Sequence, residues 1–268
     1  MDIIEFIESI LLGIIQGVTE FLPISSSGHL QLVEYLGLTP KSISNGEETA
    51  LFTTIILHFA SALSILFVFH KKIKEIIFFQ SDDSLGYILK IILALIPAVL
   101  VGLLFENQIN EIFEADTHVL AIMFFITGTV LYFTNQIKDG NNSLTYITVF
   151  LIGLAQAFAI MPGISRSGLT ICMALFLGIN KNEATNFSFI IALPLIFGVV
   201  MKKLFFDMGQ VQMIDLNISA LLIAFLVTFF VGLLCCRWMI KIVENNKLSH
   251  FSYYCFALAL FLIFIYVK

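Results

Sequence analysis

Two charged residues, Glu20 and Arg166, stand in short polar turns between apolar segments of this chain. A charge inside a bilayer costs about 2.5–3.5 kcal/mol on insertion scales, so such a residue is usually functional. Ser165 and Ser167 flank Arg166, and Thr170 follows one turn later, where a helix is expected to begin. The free N–H groups of a helix start, beside an arginine fork, favour phosphate binding. The simpler alternatives are a Glu20–Arg166 salt bridge and a serine that only caps its helix.

A second serine-rich turn indicates a different chemistry. Three hydroxyl groups stand at another expected helix start, on Ser25, Ser26 and Ser27. His29 lies within one turn of them, and a hydroxyl beside an imidazole can act as an activated nucleophile. His58, inside a long apolar run, is interpreted instead as a satisfied polar group of a spanning helix.

The two turns belong to one internal repeat. Residues 12–28 read LGIIQGVTEFLPISSSG, and residues 152–168 read IGLAQAFAIMPGISRSG. The identical pairs are Gly13 and Gly153, Gln16 and Gln156, Ile24 and Ile164, Ser25 and Ser165, Ser27 and Ser167, and Gly28 and Gly168. Gln16 also lies four residues before Glu20, on the same helical face. Interrupted apolar segments at corresponding places in two halves of a chain indicate a binding site inside a membrane.

Composition identifies the class of protein. Of 268 residues, 59% are apolar and only 12% are charged, and the mean hydropathy is +0.99. Because soluble domains carry about 25% charged residues, this chain is expected to be an integral membrane protein. A net charge of −5 argues against binding of nucleic acid, which requires a basic surface.

Apolar runs predict the membrane segments. A spanning helix needs about 20 apolar residues. Six runs approach that length: 51–70, 87–105, 117–135, 184–204, 216–240 and 250–267. Two pairs of segments are shorter and broken, namely 3–22 with 28–38 and 144–160 with 168–178. Each pair predicts a re-entrant helical hairpin, whose irregular backbone must be buried in protein or line an aqueous cavity.

The predicted fold is an all-α polytopic membrane protein in which residues 1–268 form one domain. Repeat one (1–137) and repeat two (143–268) each contain one re-entrant hairpin followed by three transmembrane helices. Because three is an odd number, the second repeat begins on the opposite side and is inverted relative to the first. The tips of the two hairpins are therefore expected to meet inside the membrane.

Basic residues predict the orientation of the chain. One group follows the first span and another the fifth: Lys71, Lys72 and Lys74, and Arg237, Lys241 and Lys247. Both groups fall on one face, which the positive-inside rule makes cytoplasmic. Lys202 and Lys203 fall on the outer face, against that rule. In this orientation the first hairpin opens outwards.

The two turns resemble the signatures of a known family. GIIQGVTEFLPISSSGH and MPGISRSGLT are similar to the two motifs of the undecaprenyl-diphosphate phosphatase family, also called the bacitracin-resistance family. The first motif, (E/Q)-x-x-x-E followed by F-L-P-x-S-S-x-G-H, is filled by Gln16, Glu20, Phe21, Leu22, Pro23, Ser25, Ser26, Gly28 and His29. The second, P-G-x-S-R-S-x-x-T, is filled by Pro162, Gly163, Ser165, Arg166, Ser167 and Thr170. The likeness covers the whole chain in length and spacing.

The resemblance implies a multi-pass enzyme of the bacterial cytoplasmic (inner) membrane, with its active site open to the outer, periplasmic face. It would hydrolyse undecaprenyl diphosphate to undecaprenyl phosphate and inorganic phosphate. That reaction recycles the lipid carrier of cell-wall synthesis and confers bacitracin resistance. The expected cofactor is a divalent cation, Mg²⁺ or Ca²⁺. The expected partners are the polyprenyl diphosphate and membrane lipid, with a homodimer left open and no nucleic acid.

The resemblance also implies roles for single residues. Ser26 would be the nucleophile, His29 would assist proton transfer, and Glu20 would be a base or a metal contact. Arg166 would hold the phosphoryl oxygens. The other expected phosphate-binding residues are Gln16, Ser25, Ser27, Ser165, Ser167 and Thr170. Many family members carry Glu where this chain has Gln16, and an amide is a weaker metal ligand, which argues against a two-carboxylate metal site.

Two other functions stay open at this point. Inverted repeats with broken helices are also typical of transporters, so a polyprenyl-phosphate transporter or flippase is the main alternative. A bacitracin-binding or scaffold protein without catalysis is the second. The serine and histidine cluster favours chemistry over transport, and a scaffold would leave the charges of Glu20 and Arg166 without a purpose.

Overall fold

The computed structural model describes residues 3–37, 47–81, 83–113, 117–137, 139–207 and 217–266. These residues form helices joined by short turns, and no strand occurs among them. The helices are α1 (Ile3–Thr19), α2 (Ser26–Tyr35), α3 (Glu47–Val68), α4 (His70–Ile77), α5 (Ser84–Leu104), α6 (Glu106–Phe113), α7 (Thr117–Phe133), α8 (Tyr146–Phe158), α9 (Arg166–Phe176), α10 (Lys181–Lys202), α11 (Ile218–Glu244) and α12 (His250–Tyr266). A 3₁₀ turn (Thr134–Gln136) follows α7, and a π turn (Lys203–Asp207) extends α10.

The two interrupted segments are confirmed as broken helix pairs, α1 with α2 and α8 with α9. The second helix of each pair is short, with 10 residues in α2 and 11 in α9. At a rise of 1.5 Å per residue, ten residues cover about 15 Å, half of the bilayer core. Neither short helix can span a membrane by itself. The path of each pair through the bilayer stays a prediction.

A serine begins the second helix of each pair. Ser25 Oγ accepts a hydrogen bond from the Gly28 N–H at 3.3 Å, and Ser165 Oγ accepts one from the Gly168 N–H at 3.1 Å. Such a cap contributes about 1 kcal/mol to a helix. We call residues 20–28 the first elbow and residues 160–168 the second elbow. Ser25 has a φ of +68°, a strained value for a residue with a side chain.

The two elbows touch through glycine. A Cβ atom added to Gly28 would lie 2.9 Å from the Gly163 Cα, and one added to Gly168 would lie 3.0 Å from the Pro23 Cβ. These contacts are reciprocal, because Gly28 aligns with Gly168 and Pro23 aligns with Gly163 in the repeat. The missing side chains therefore let two polar turns approach closely inside an apolar protein.

The described parts of the six apolar runs fall on helices, with one change in shape, whereas residues 216 and 267 lie outside the described residues. Within the described residues, α5, α7, α10 and α11 are long and apolar enough to cross a membrane, α7 together with its 3₁₀ turn. α3 bends by 79° into α4, and this pair makes a fifth span if taken as one. α12 has 17 residues, about 25 Å of helix. The sequence did not predict α4, which carries Lys71, Lys72 and Lys74.

The helices of the two repeats pack on each other reciprocally. α1 of repeat one packs against α11 of repeat two, and α8 of repeat two packs against α5 of repeat one. Glycines allow both contacts: a Cβ on Gly13 would lie 2.8 Å from the Ala224 carbonyl, and one on Gly153 would lie 2.5 Å from the Ala94 carbonyl. Such packing is what a twofold relation between the halves would produce. The inverted orientation and the division at residues 137 and 143 stay predictions.

The outside of the helices is apolar. On α11 the side chains of Leu222, Leu226, Phe230 and Leu234 are exposed at a spacing of four residues, which places them on one face. An apolar face of this length, on a helix long enough to span the membrane, is suited to contact lipid. The chain is thus a multi-pass membrane protein, as its composition predicts.

Candidate active site

The Glu20 carboxylate is the centre of the site. Arg166 Nη2 donates to Glu20 Oε1 at 2.5 Å, which joins the second elbow to the first. Ser26 Oγ donates to Glu20 Oε2 at 2.6 Å, and Gln16 Nε2 donates to the same oxygen at 3.3 Å. The side chains of Glu20 and Arg166 are only 6% and 14% exposed. The predicted meeting of the two elbows is confirmed, and so is the salt bridge considered as the alternative.

The repeat explains this distribution of charge. Arg166 stands at the position that Ser26 holds in the first repeat, and Ile160 stands at the position of Glu20. The first elbow therefore supplies a carboxylate and a hydroxyl, whereas the second supplies the cation. The two turns thus have similar shapes but carry side chains of complementary charge.

The remaining serines form a close pair within each elbow, and a threonine of α7 contacts the second elbow. Ser25 Oγ lies 3.3 Å from Ser27 Oγ, and Ser165 Oγ lies 3.3 Å from Ser167 Oγ. Thr127 of α7 holds the second elbow: its hydroxyl donates to the Gly163 carbonyl at 2.9 Å and accepts from the Ser165 N–H at 3.3 Å. Nothing in the local sequence of α7 singles out Thr127, because its role depends on tertiary contact.

A cavity of about 920 Å³ extends from the elbows along α5 and α10. Its polar end is lined by Glu20, Arg166 and five elbow serines: Ser25, Ser26, Ser27, Ser165 and Ser167. Its walls are apolar and include Leu95 and Leu103 of α5 and Leu195 and Val199 of α10. Its far end is bordered by Lys203 and by the ion pair of Lys202 with Glu106. One cavity thus joins a charged pocket to an apolar groove.

Three predicted site residues lie outside this lining, namely Gln16, His29 and Thr170. His29 Nδ1 is 2.7 Å from the Ser25 carbonyl, and His29 Nε2 is 2.6 Å from the Tyr254 hydroxyl, against which the imidazole stacks. Among the described contacts, none joins His29 to Ser26. Thr170 is buried and donates to the Arg166 carbonyl at 2.9 Å, so its hydroxyl supports the start of α9. The structure brings Ser26 to Glu20 rather than to the imidazole.

The lining residues that the sequence did not assign to the site include His58 and Gln156. His58 lines the cavity and interacts electrostatically with Glu20, while its Nδ1 contacts the Thr54 carbonyl at 2.8 Å. His58 is the only titratable residue between positions 51 and 69, which is a signal for function inside a membrane. Gln156 also lines the cavity, and its alignment with Gln16 is the signal that could have identified it.

Comparison with known proteins identifies the family. The family model described as bacitracin resistance protein BacA matches residues 9–261. This chain belongs to the BacA family. The resemblance of the two motifs is thereby confirmed over nearly the whole chain.

Curated relatives of this BacA-family chain share its full length. An undecaprenyl-diphosphatase of Christiangramia forsetii is 43% identical over 261 residues, which cover 96% of each chain. The undecaprenyl-diphosphatase of Bacteroides thetaiotaomicron is 37% identical and covers 93% of this chain and 95% of its own length. That of Methanobrevibacter smithii is 34% identical, with 94% of both chains covered.

The donor atoms of this BacA-family site suit a cation that is bound only in part by protein. The described residues contain no group of three or more His, Cys, Asp or Glu side chains that could hold a metal ion. Gln16 Oε1 is buried and has no hydrogen-bond partner among the described residues, close to the Glu20 carboxylate. Mg²⁺ commonly takes one or two carboxylates together with substrate phosphates. Glu20 and Gln16 fit such an incomplete set of ligands.

The Glu20–Arg166 pair is expected to couple the two elbows energetically. Arg166→Gln alone leaves a buried carboxylate without its cation, which should cost about 3–5 kcal/mol. Glu20→Gln with Arg166→Gln should cost well below the sum of the single changes. Thermal unfolding of the four forms in detergent measures this coupling.

The exposed pair Lys72 and Glu75 provides the control, because their side chains are 40% and 36% exposed and should couple by less than about 1 kcal/mol. Additive effects at Glu20 and Arg166 would show that the ion pair does not hold the elbows together.

Proposed function

We propose that this chain hydrolyses undecaprenyl diphosphate to undecaprenyl phosphate and inorganic phosphate. The full-length relatives named undecaprenyl-diphosphatase support this assignment. The observation that carries it is the 2.6 Å hydrogen bond from Ser26 to Glu20, at the polar end of a cavity with apolar walls. A carboxylate that accepts a hydrogen bond from a serine hydroxyl can take its proton and so activate it as a nucleophile.

The reaction proceeds in two steps. Ser26 Oγ attacks the terminal phosphorus while Glu20 Oε2 takes the hydroxyl proton, and the bond from that phosphorus to the bridging oxygen breaks. Undecaprenyl phosphate leaves with the electron pair. Water then attacks the phosphoserine, Glu20 returns its proton to Ser26 Oγ, and inorganic phosphate departs with both protons of the water. In this mechanism Glu20 acts as the base, one of the two roles that the motif resemblance implied for it, and His29 takes no part in the proton transfer that the resemblance implied it would assist.

Arg166 binds the phosphoryl group without leaving Glu20. Its Nη2 donates to Glu20, whereas its buried Nη1 has no partner among the described residues. Nη1 and the N–H groups at the start of α9 therefore face the negative charge that spreads over the phosphoryl oxygens during transfer. Donors that are already in place stabilise such charge without reorganisation.

The apolar groove accommodates the isoprenyl tail. Gly198 of α10 lines the cavity, and a Cβ atom there would meet nothing within 4 Å. Gly102 of α5 also lines it, and a Cβ atom there would meet only Ile160 Cδ1, at 4.0 Å. The tail leaves the pocket along these two helices and continues into lipid.

The cellular setting follows from this substrate. The site faces the outer side of the cytoplasmic membrane. Hydrolysis of the substrate recycles the carrier and removes the lipid to which bacitracin binds, which confers resistance. The predicted orientation of the basic groups on α4 and α11 supports this placement.

Release of phosphate from polyprenyl diphosphate tests the mechanism. Ser26→Ala should reduce turnover to background, because the nucleophile is lost, and wild-type enzyme quenched in acid should carry the terminal phosphate on Ser26. Ser61→Ala is the matched control, since Ser61 is buried and, among the described residues, its hydroxyl donates only to the Leu57 carbonyl of its own helix. Near-normal turnover of Ser26→Ala would replace the covalent route by attack of water, and absence of turnover in the wild type would favour transport.

A divalent cation, Mg²⁺ or Ca²⁺, would be held by Glu20, the Gln16 amide oxygen and the diphosphate. When bound, it would neutralise charge on the phosphate oxygens. Excess chelator should therefore abolish phosphate release in the same assay, and added Mg²⁺ should restore it. Release that persists in chelator would remove the cation from the mechanism.

Chain-length selection tests the groove. Gly198→Leu places a side chain in the path of the tail, so it should raise KM for a long polyprenyl diphosphate by about tenfold, the effect of losing a few buried methylenes. A short isoprenyl diphosphate serves as the internal control, because its tail does not reach Gly198. Equal losses with both substrates would show that the tail does not follow α10.

A further inference from the structure

The amide of Gln156 is the least satisfied polar group in the cavity lining. Gln156 is completely buried in α8, and neither its Nε2 nor its Oε1 has a hydrogen-bond partner among the described residues. It lines the same cavity as Glu20, Ser26 and Arg166. A buried amide without partners is destabilising, and a ligand that hydrogen-bonds to both of its atoms would offset that cost.

The repeat shows why this amide has no partner. Gln16, its counterpart, donates to Glu20 four residues later. Four residues after Gln156 the chain has Ile160, which cannot accept a hydrogen bond. The two glutamines thus stand in equivalent places, but only Gln156 is left without an internal acceptor.

An amide recognises a partner that both accepts and donates. Gln156 Nε2 can donate to a phosphoryl oxygen, as can the unpartnered Nη1 of Arg166. Gln156 Oε1 can only accept, so a phosphate can hydrogen-bond to it only through a P–OH group. A terminal or free phosphate carries a P–OH group near neutral pH, whereas sulfate carries no proton there.

We infer that Gln156 binds the terminal phosphate of the substrate, and then the inorganic phosphate product, and that it selects an anion carrying a P–OH group. This inference rests on the proposed function, of which it names a specificity-determining residue. Nε2 and Arg166 Nη1 hold phosphoryl oxygens, and Oε1 accepts the P–OH hydrogen. An internal phosphodiester has no such hydrogen, so the site favours a phosphate at the end of its chain.

Discrimination between inorganic phosphate and sulfate tests this role without turnover. The purified full chain in detergent is titrated with each anion, and the concentration for half-maximal thermal stabilisation is measured. The wild type should prefer phosphate by about tenfold, the effect of one satisfied hydrogen bond. Gln156→Leu should remove that preference, and Gln156→Glu, which lacks the N–H donors and adds a negative charge, should weaken binding of both anions.

Ser188→Ala is the matched control. Ser188 Oγ is also buried without a partner among the described residues, but Ser188 does not line the cavity, so its loss should leave the preference unchanged. A phosphate preference that survives in Gln156→Leu would overturn the inference. A wild type that shows the preference but releases no phosphate from polyprenyl diphosphate would instead overturn the proposed function.

Discussion

A carboxylate buried in an apolar protein is the constraint on which this structure depends. The Glu20 side chain is only 6% exposed, and removing its charge from water costs several kcal/mol unless donors surround it. Arg166 and Ser26 meet that requirement together with Gln16, and Arg166 comes from the other half of the chain. The carboxylate therefore stabilises contact between two broken helix pairs and, at the same point, concentrates the polar atoms needed to handle a phosphate.

Close approach of the elbows depends on backbone chemistry as much as on charge. Gly28 and Gly168 leave room where a side chain would collide with the opposite elbow, and the caps at Ser25 and Ser165 begin the short helices. The first residues of both short helices line the cavity. The free N–H groups of a helix start suit an anion, so the features that let irregular backbone persist inside the protein also fit the proposed phosphate binding.

Much of this arrangement is predictable from the sequence, because periodicity and repeats are local signals. The apolar runs predicted the helices, and the internal repeat predicted that Glu20 and Arg166 would lie together. Contacts between distant segments were not predictable in the same way. His29 stands near Ser26 in sequence, but Tyr254 of α12, 225 positions away, takes up its Nε2. The bend between α3 and α4 likewise depends on packing that no local pattern reveals.

Ser26 and Arg166 stand at equivalent positions of the two repeats. Neither half alone therefore contains both members of the Glu20–Arg166 ion pair. A molecule built from two copies of the first repeat would place two glutamate carboxylates near each other. Charge repulsion would then replace the attraction between Glu20 and Arg166. Two copies of the second repeat would place two guanidinium groups opposite each other and would have Ile160 in place of the Glu20 carboxylate. The two halves thus supply different charged groups. The protein therefore has one asymmetric site, although its scaffold contains two elbows of similar shape.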